Sequence, residues 1–190
     1  RLVRRRFLRR RFLRRRFIDM GAMRRKAGPD MVIGIDLALG MMRIGQKKAA
    51  QLALGGMRFV CGNAEELPFK EDMFDGAMVA FGVRNLADIP AGLASIRHTL
   101  KPGGRLVVLE LSRPGMRGFR DLYQVYFRHV LPRLGGLISG DGDAYSYLHT
   151  SVMDFPPRER FIELMEEAGF TATGHRDLSL GIATLYWGDK

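Results

Sequence analysis

Three short stretches place polar side chains directly behind apolar runs. Asp36 ends "MVIGID", Asn63 and Ala64 follow the run "MRFVCG", and Arg84 and Asn85 end "FGVRN". A carboxylate at the end of a parallel strand is suited to accept hydrogen bonds from ribose hydroxyls, although an acid there is as often simply solvated. An Asn side chain beside a backbone amide can pair with the polar edge of an adenine. The first two stretches therefore predict a site for an adenine nucleoside.

Strands and helices alternate around these residues. We predict strands at "MVIGID", "MRFVCG", "FDGAMVAFG" and "RLVVLELS", and helices at "MMRIGQKKAAQLAL" and at "IPAGLASIRHTL", which the turn "KPGG" closes. This alternation predicts an α/β doubly wound sheet, in which the carboxyl ends of parallel strands meet at one edge. The third run is almost wholly apolar, which predicts a strand covered on both faces.

The second half of the chain has a different pattern. Residues 118–137 have helical spacing and many aromatic side chains, and "SGDGDAYSYL" is predicted to form a loop. "PPRERFIELMEEAGF" predicts a helix with Pro at its start and Gly at its end. The last two segments, "TATGHRDLS" and "GIATLYWG", predict a closing hairpin that is antiparallel to the rest of the sheet.

The positive charge of the chain is confined to its first residues. The net charge is +11, and the opening "RLVRRRFLRRRFLRRRFIDM" repeats an Arg triplet every five residues. Residues 1–26 hold 13 of the 31 basic side chains and one of the 20 acidic ones, which leaves 18 basic and 19 acidic residues elsewhere. We therefore predict an Arg-rich, low-complexity segment over residues 1–28 that is not part of the fold, followed by a nearly neutral domain over residues 29–190.

Composition also excludes several classes of protein and site. Cys61 is the single cysteine, which excludes an internal disulfide, and the four scattered histidines predict no metal site. No stretch approaches the roughly 18–20 uncharged apolar residues of a membrane span. The Arg triplets interrupt the apolar core that a secretory signal requires, so we do not expect export.

Several motifs carry a family resemblance through their order. The chain contains in succession Asp36, "GNAEELPFKEDMFD", "FGVRN", "LKPGGRLVVLELS", "HVLPRLG" and "YSYL". Over about residues 29–188 it resembles the ubiquinone/menaquinone biosynthesis C-methyltransferases (UbiE-like), a class I S-adenosylmethionine-dependent group. "LKPGG" alone is typical of methyltransferases in general, whereas "FGVRN", "LELS" and "YSYL" together indicate the quinone branch. The resemblance implies a Rossmann-like class I methyltransferase sheet with a C-terminal antiparallel hairpin.

The resemblance also implies roles for single residues. Asp36 would bind the ribose hydroxyls of S-adenosyl-L-methionine, and Asn63 and Ala64 would face its adenine. Arg84 and Asn85 would lie at the methyl-transfer site. A quinol ring carbon becomes nucleophilic as a neighbouring hydroxyl loses its proton, so Arg84 is suited to stabilise the phenolate and Asn85 to orient the hydroxyl or a water.

The remaining predicted site residues lie in the second half of the chain. His129, a water or a tyrosine network is a better proton acceptor than a guanidinium. Tyr145 and Tyr147 are expected to line the quinol pocket. Each assignment has a structural alternative: Arg84 paired with a local acid such as Asp88, His129 as a core or helix-capping residue, and the tyrosines as packing of an ordered loop.

The opening of the chain departs from the family pattern. Family members carry, before the ribose acid, a first strand and a Gly-rich loop of the "DxxxGTGD" kind that holds the methionine end of the cofactor. Here arginine fills 12 of the first 25 positions, and a strand buried on both faces cannot hold these charges. We expect a sheet without its first strand, and we hypothesise a truncated or frame-shifted methyltransferase.

The predicted function is C-methylation of a polyprenyl quinol, either demethylmenaquinone or a ubiquinone precursor. One alternative is an inactive methyltransferase-like domain whose Arg arm binds RNA or anionic lipid non-specifically, with an affinity that falls steeply with salt. Another is a different small-molecule methyltransferase of the same fold. We expect a cytoplasmic protein that does not act on nucleic acid, and peripheral contact with the inner face of the membrane is left open.

Overall fold

The computed structural model describes residues 31–114 and 142–190. Side chains are described from residue 147 onward in the second of these ranges. The Arg-rich segment, the aromatic stretch 118–137 and His129 therefore lie outside the described residues, as does the side chain of Tyr145.

The described part begins with a strand, a helix and a parallel strand. Strand β1 (Val32–Asp36) and strand β2 (Met57–Cys61) pair in parallel, with Val32 opposite Met57 and Asp36 opposite Cys61. Helix α1 (Leu39–Gln51) connects them and buries one face, formed by Met42, Gly45 and Ala49. The predicted order of the first three elements is confirmed, and it brings the ends of both strands to the same edge.

A second sheet contains four strands in the order β3-β4-β6-β5. Strand β3 (Phe74–Ala80) runs parallel to β4 (Leu100–Leu111), whereas β6 (Ala183–Asp189) is antiparallel to both β4 and β5 (Thr171–Leu178). The predicted C-terminal antiparallel hairpin is therefore confirmed. Within residues 31–114 and 142–190, no strand hydrogen-bonds the β1–β2 pair to β3.

Strand β3 differs from its prediction. Its apolar sequence predicts cover on both faces, yet Gly76 and Met78 are exposed. The physical reason is that the core lies on one face of this strand: Ala77 and Val79 pack against the core, whereas Gly76 and Met78 lie on the opposite face.

Three helices accompany the second sheet. Helix α2 (Ile89–Thr99) begins at Asp88, whose side chain accepts a hydrogen bond from the backbone N–H of Ala91. Helix α4 (Arg158–Glu167) follows Pro157, and Gly169 just beyond it has a φ of +89°, as predicted from its Pro and Gly. The predicted loop at "SGDGDAYSYL" is wrong over most of its length, because helix α3 (Gly142–Asp154) begins within it.

The core lies between the second sheet and helices α2 and α4. Along β4 the buried side chains alternate with half-buried ones, as a strand with one face against a core requires. Leu106, Val108 and Glu110 share the buried face, and Glu110 is the one charged side chain among them. Their largest apolar neighbours are Leu93, Ile96, Leu100, Phe161, Met165 and Tyr186.

The "KPGG" segment forms a bulge inside β4 rather than the separate turn that its sequence predicts. Leu100 pairs with Phe74 and Arg105 with Gly76, so residues 101–104 occupy extra length on one strand. A Cβ at Gly104 would lie 2.8 Å from the backbone oxygen of Lys101 and 3.3 Å from that of Phe74. The close backbone approach requires glycine at residue 104.

We expect Gly104→Ala to destabilise the domain by about 2 kcal/mol, because the added methyl group meets backbone atoms that cannot move away independently. Urea unfolding followed by circular dichroism measures this cost. Gly40→Ala is the control, since its Cβ would have open space on helix α1, and it should raise stability by about 0.5–1 kcal/mol. Equal effects of the two substitutions would contradict this account of the bulge.

Tyr186 buries a phenol in the core. Its ring packs edge-to-face on Phe161 with centroids 4.7 Å apart, and its hydroxyl makes no hydrogen bond within the described residues. Burial raises the pKa of Tyr186 to about 12. The nearby Thr184 hydroxyl lowers the pKa of Tyr186 and offsets only part of the effect of burial.

This raised pKa predicts a loss of stability in alkali. Between pH 10 and pH 12 the unfolded chain releases the phenolic proton while the native state retains it, so stability is present below pH 10 and falls as pH rises. From about pH 8 to about pH 11 the wild-type protein should lose about 1 kcal/mol more than Tyr186→Phe. Urea unfolding at both pH values checks this, and parallel losses would contradict it.

Candidate active site

The "FGVRN" segment turns sharply at the carboxyl end of β3. Phe81 has a φ of +55°, an uncommon conformation for a bulky residue, and its N–H donates to the carbonyl of Leu109 at 2.8 Å. A 3₁₀ turn over Val83–Asn85 follows, and Val83 is buried in the core. This buried anchor presents Arg84 and Asn85 at the strand end, where the sequence predicts them.

Arg84 is paired with an acid that comes from the neighbouring strand. Its Nη1 donates to Oε1 of Glu110 at 2.7 Å and to the carbonyl of Phe81 at 2.6 Å. The Arg84 side chain is 10% exposed and that of Glu110 is fully buried. Asp88 is wrong as the partner of Arg84, because its carboxylate caps helix α2, but the structural alternative of an Arg paired with an acid is met by Glu110.

Glu110 is a residue of this site that sequence reasoning did not single out. The signal was present, since it follows Leu106 and Val108 at core-facing positions two residues apart. A carboxylate at such a position requires a buried cation or hydrogen-bond donors.

Asn85 forms a hydrogen bond with Tyr147, which lies 62 residues later in the sequence. The hydroxyl of Tyr147, on helix α3, donates to Oδ1 of Asn85 at 3.0 Å, and Nδ2 of Asn85 donates to the carbonyl of Phe81 at 3.4 Å. The Tyr147 side chain is 58% exposed. Two residues predicted separately, one for catalysis and one for substrate binding, are thus in direct contact.

Asp36 lies at the exposed end of β1. Its Oδ1 accepts a hydrogen bond from the N–H of Ala38 at 2.8 Å, which fixes the carboxylate over the start of the β1–α1 connection. Its Oδ2 has no hydrogen-bond partner in the two described ranges. One oriented and solvent-accessible oxygen suits a pair of ribose hydroxyls.

The loop after β2 is held by its own side chains. Oδ1 of Asn63 accepts a hydrogen bond from the N–H of Glu65 at 3.1 Å, so the amide NH₂ of Asn63 and the backbone of half-buried Ala64 are the groups left for an adenine edge. The carboxylate of Glu65 accepts from the N–H of Ala87 at 2.7 Å and that of Asp88 at 3.4 Å. Sequence reasoning missed Glu65, which links the predicted adenine loop to the segment that follows "FGVRN".

Comparison with known families places this geometry in context. The model of the ubiE/COQ5 methyltransferase family matches residues 16–190. The chain belongs to this family. The matched range begins inside the Arg-rich segment and includes every site residue that the sequence predicts in this chain.

Individual relatives agree with the family assignment. The chain is 44% identical over 160 residues to the ubiquinone/menaquinone biosynthesis C-methyltransferase UbiE of Geobacter sulfurreducens, covering 84% of this chain and 62% of that protein. It is 41% identical over 168 residues to the demethylmenaquinone methyltransferase of Deinococcus radiodurans, covering 88% and 69%. The chain thus spans about two thirds of the length of these ubiE/COQ5 relatives.

Solved structures support the fold of this family member. The crystal structure of the [4+2]-cyclase SpnF is similar to this chain with a TM-score of 0.64 and 16% sequence identity. The similarity covers 87% of this chain and 67% of the SpnF chain. A SAM-dependent methyltransferase from Thermotoga maritima matches with a TM-score of 0.59 at 22% identity, covering 83% and 72%. The chain therefore has the class I methyltransferase fold.

The link through Glu65 generates a prediction. Glu65→Ala removes the acceptor of two backbone N–H groups, so amide exchange at Ala87 and Asp88 should accelerate about tenfold. Hydrogen–deuterium exchange followed by NMR measures these two amides. Glu66→Ala, which removes the exposed neighbouring carboxylate, should leave both rates unchanged. Unchanged protection in Glu65→Ala would show that Glu65 does not hold the two segments together.

Proposed function

We propose that this chain catalyses S-adenosylmethionine-dependent C-methylation of a polyprenyl quinol, demethylmenaquinone or a ubiquinone precursor, in quinone biosynthesis. The observation that carries the proposal is the contact of Asn85 with Tyr147 beside Arg84, at the strand end of a ubiE/COQ5 family member. The family supports the reaction class, and the cluster offers polar groups for a quinol hydroxyl. No observation on the described residues favours the alternative of an RNA- or lipid-binding arm.

The residues at the ends of β1 and β2 fit the nucleoside half of S-adenosyl-L-methionine. We assign the ribose hydroxyls to Asp36, which has a carboxylate oxygen available, and the adenine edge to the amide NH₂ of Asn63 and the backbone of Ala64. When bound, S-adenosyl-L-methionine supplies an electrophilic methyl group on a sulfonium.

Tyr147 and Asn85 are suited to orient the quinol. The phenolic proton of Tyr147 is committed to Asn85, so its oxygen is free to accept a hydrogen bond from a quinol hydroxyl. Such a bond withdraws the hydroxyl proton from the ring oxygen and raises the nucleophilicity of the adjacent ring carbon. The final proton acceptor in this proposal is a water, His129 or a tyrosine network.

Arg84 is suited to stabilise the developing phenolate through one edge of its guanidinium. Its Nη1 is occupied by Glu110 and by the carbonyl of Phe81, whereas Nη2 makes no hydrogen bond within the described residues. Because the Glu110 carboxylate balances its charge, Arg84 would act as a fixed hydrogen-bond donor more than as a free positive charge.

The proposed substrate class has a consequence for the location of the protein in the cell. A polyprenyl tail partitions into a bilayer, and no helix among the described residues is long and apolar enough to cross one. We propose a cytoplasmic enzyme that contacts the inner face of the membrane peripherally to reach its quinol.

The test is methyl transfer by the purified chain. With S-adenosylmethionine carrying a labelled methyl group and a short-chain demethylmenaquinol kept reduced, mass spectrometry should detect the ring-methylated product. Tyr147→Phe should lower kcat at least about tenfold by removing the oriented oxygen, a typical loss for one positioned hydrogen bond. Tyr186→Phe, which removes a buried phenol outside the site, is the matched control and should retain the wild-type rate. The absence of product from the wild-type chain would refute the proposed function.

A further inference from the structure

Glu110 is the one charged side chain that is fully buried in the described part of the chain. Its Oε1 accepts from Nη1 of Arg84 at 2.7 Å and from the N–H of Leu111 at 2.9 Å, and its Oε2 accepts from the backbone N–H of Arg84 at 3.2 Å. Apart from the amide of the next residue, Arg84 is the partner of both oxygens within residues 31–114 and 142–190.

A contribution to the stability of the fold does not explain well why a carboxylate is buried here. A buried ion pair pays a desolvation cost that well-packed apolar residues of the same volume avoid. Nε of Arg84 is in addition buried with no hydrogen-bond partner among the described residues, which a structural ion pair would satisfy. A pair that leaves a buried donor unsatisfied is not optimised for stability, and this favours a role in fixing the orientation of Arg84.

The contacts of Glu110 extend from Arg84 to Asn85. Glu110 fixes both the backbone and the guanidinium of Arg84, and the same Nη1 donates to the carbonyl of Phe81. That carbonyl also accepts from Nδ2 of Asn85, whose Oδ1 holds the hydroxyl of Tyr147. A continuous path of hydrogen bonds thus runs from the core to the exposed tyrosine.

We propose that Glu110 is a positioning residue for methyl transfer. It holds the guanidinium of Arg84 and, through the carbonyl of Phe81, the amide of Asn85 in the orientation that receives the quinol hydroxyl. This inference rests on the proposed function for its substrate. The holding of Arg84 by Glu110 can be measured independently of that function.

The kinetic test replaces Glu110 by Gln, which has the same shape without the charge. We expect kcat to fall at least tenfold while the Kd of S-adenosylmethionine stays within twofold of the wild-type value. Glu110→Asp keeps the charge and should recover part of the lost rate. Asp177→Asn is the matched control, because it removes a carboxylate that pairs with a different arginine, Arg158, on helix α4.

Thermal unfolding of each variant separates positioning from stability. A fall in kcat for Asp177→Asn as large as for Glu110→Gln, at a similar loss of thermal stability, would overturn the proposal. So would a Glu110→Gln variant that folds and turns over at the wild-type rate.

A second measurement does not depend on activity. In protein with ¹⁵N-labelled arginine, the Nε–H signal of Arg84, assigned by its disappearance in Arg84→Lys, should exchange slowly with water. Exchange should accelerate at least tenfold in Glu110→Gln and stay unchanged in Asp177→Asn. If the wild-type chain transfers no methyl group, the proposed function fails, while this signal still decides whether Glu110 holds Arg84. Unchanged exchange in Glu110→Gln overturns the inference.

Discussion

The parallel pairing of β3 with β4 is the constraint on which the site depends. It sets Ala80 beside Leu109, so the segment that leaves β3 passes over the end of its neighbour. The bond from the N–H of Phe81 to the carbonyl of Leu109 extends this pairing by one residue beyond the strand. Glu110, the next residue of β4, is thereby brought under Arg84. A slip of one residue would turn the carboxylate to the opposite face of the sheet.

The loop that follows β2 connects the two sheets. Within the described ranges, no strand joins β2 to β3, but Glu65 binds the backbone ahead of helix α2, and the N–H of Leu67 donates to Oγ of Ser95 at 2.9 Å. Leu67 also packs against the main core. These loop contacts connect the two sheets within the described ranges, as a shared strand does in a continuous sheet. The predicted cofactor residues therefore depend on the loop for their position relative to Arg84.

Sequence patterns predicted the elements well and the contacts between them poorly. Every described strand was predicted: most are apolar runs bounded by turns, which are a local property, and the polar strand β5 was predicted as one arm of the closing hairpin. Helix α3 was missed because Gly and Asp at its start also mark loops, and its packing against "FGVRN" is a long-range contact. The partner of Arg84 was missed for the same reason: Asp88 is near in sequence, whereas Glu110 is near only after β4 pairs with β3. The roles assigned to Asp36, Asn63 and Ala64 stay predictions.

Tyr147 reaches the site from a helix, whereas Arg84 and Asn85 are held from the sheet. The two sides of the site meet in a single hydrogen bond, and the sheet side is fixed from below by a buried carboxylate. Sequence changes in helix α3 can therefore alter the Tyr147 side of the proposed site without displacing the groups at the sheet rim. In evolutionary terms, the proposed quinol-binding side of the site and the polar groups at the sheet rim can diverge separately, since each is encoded in its own segment of the chain.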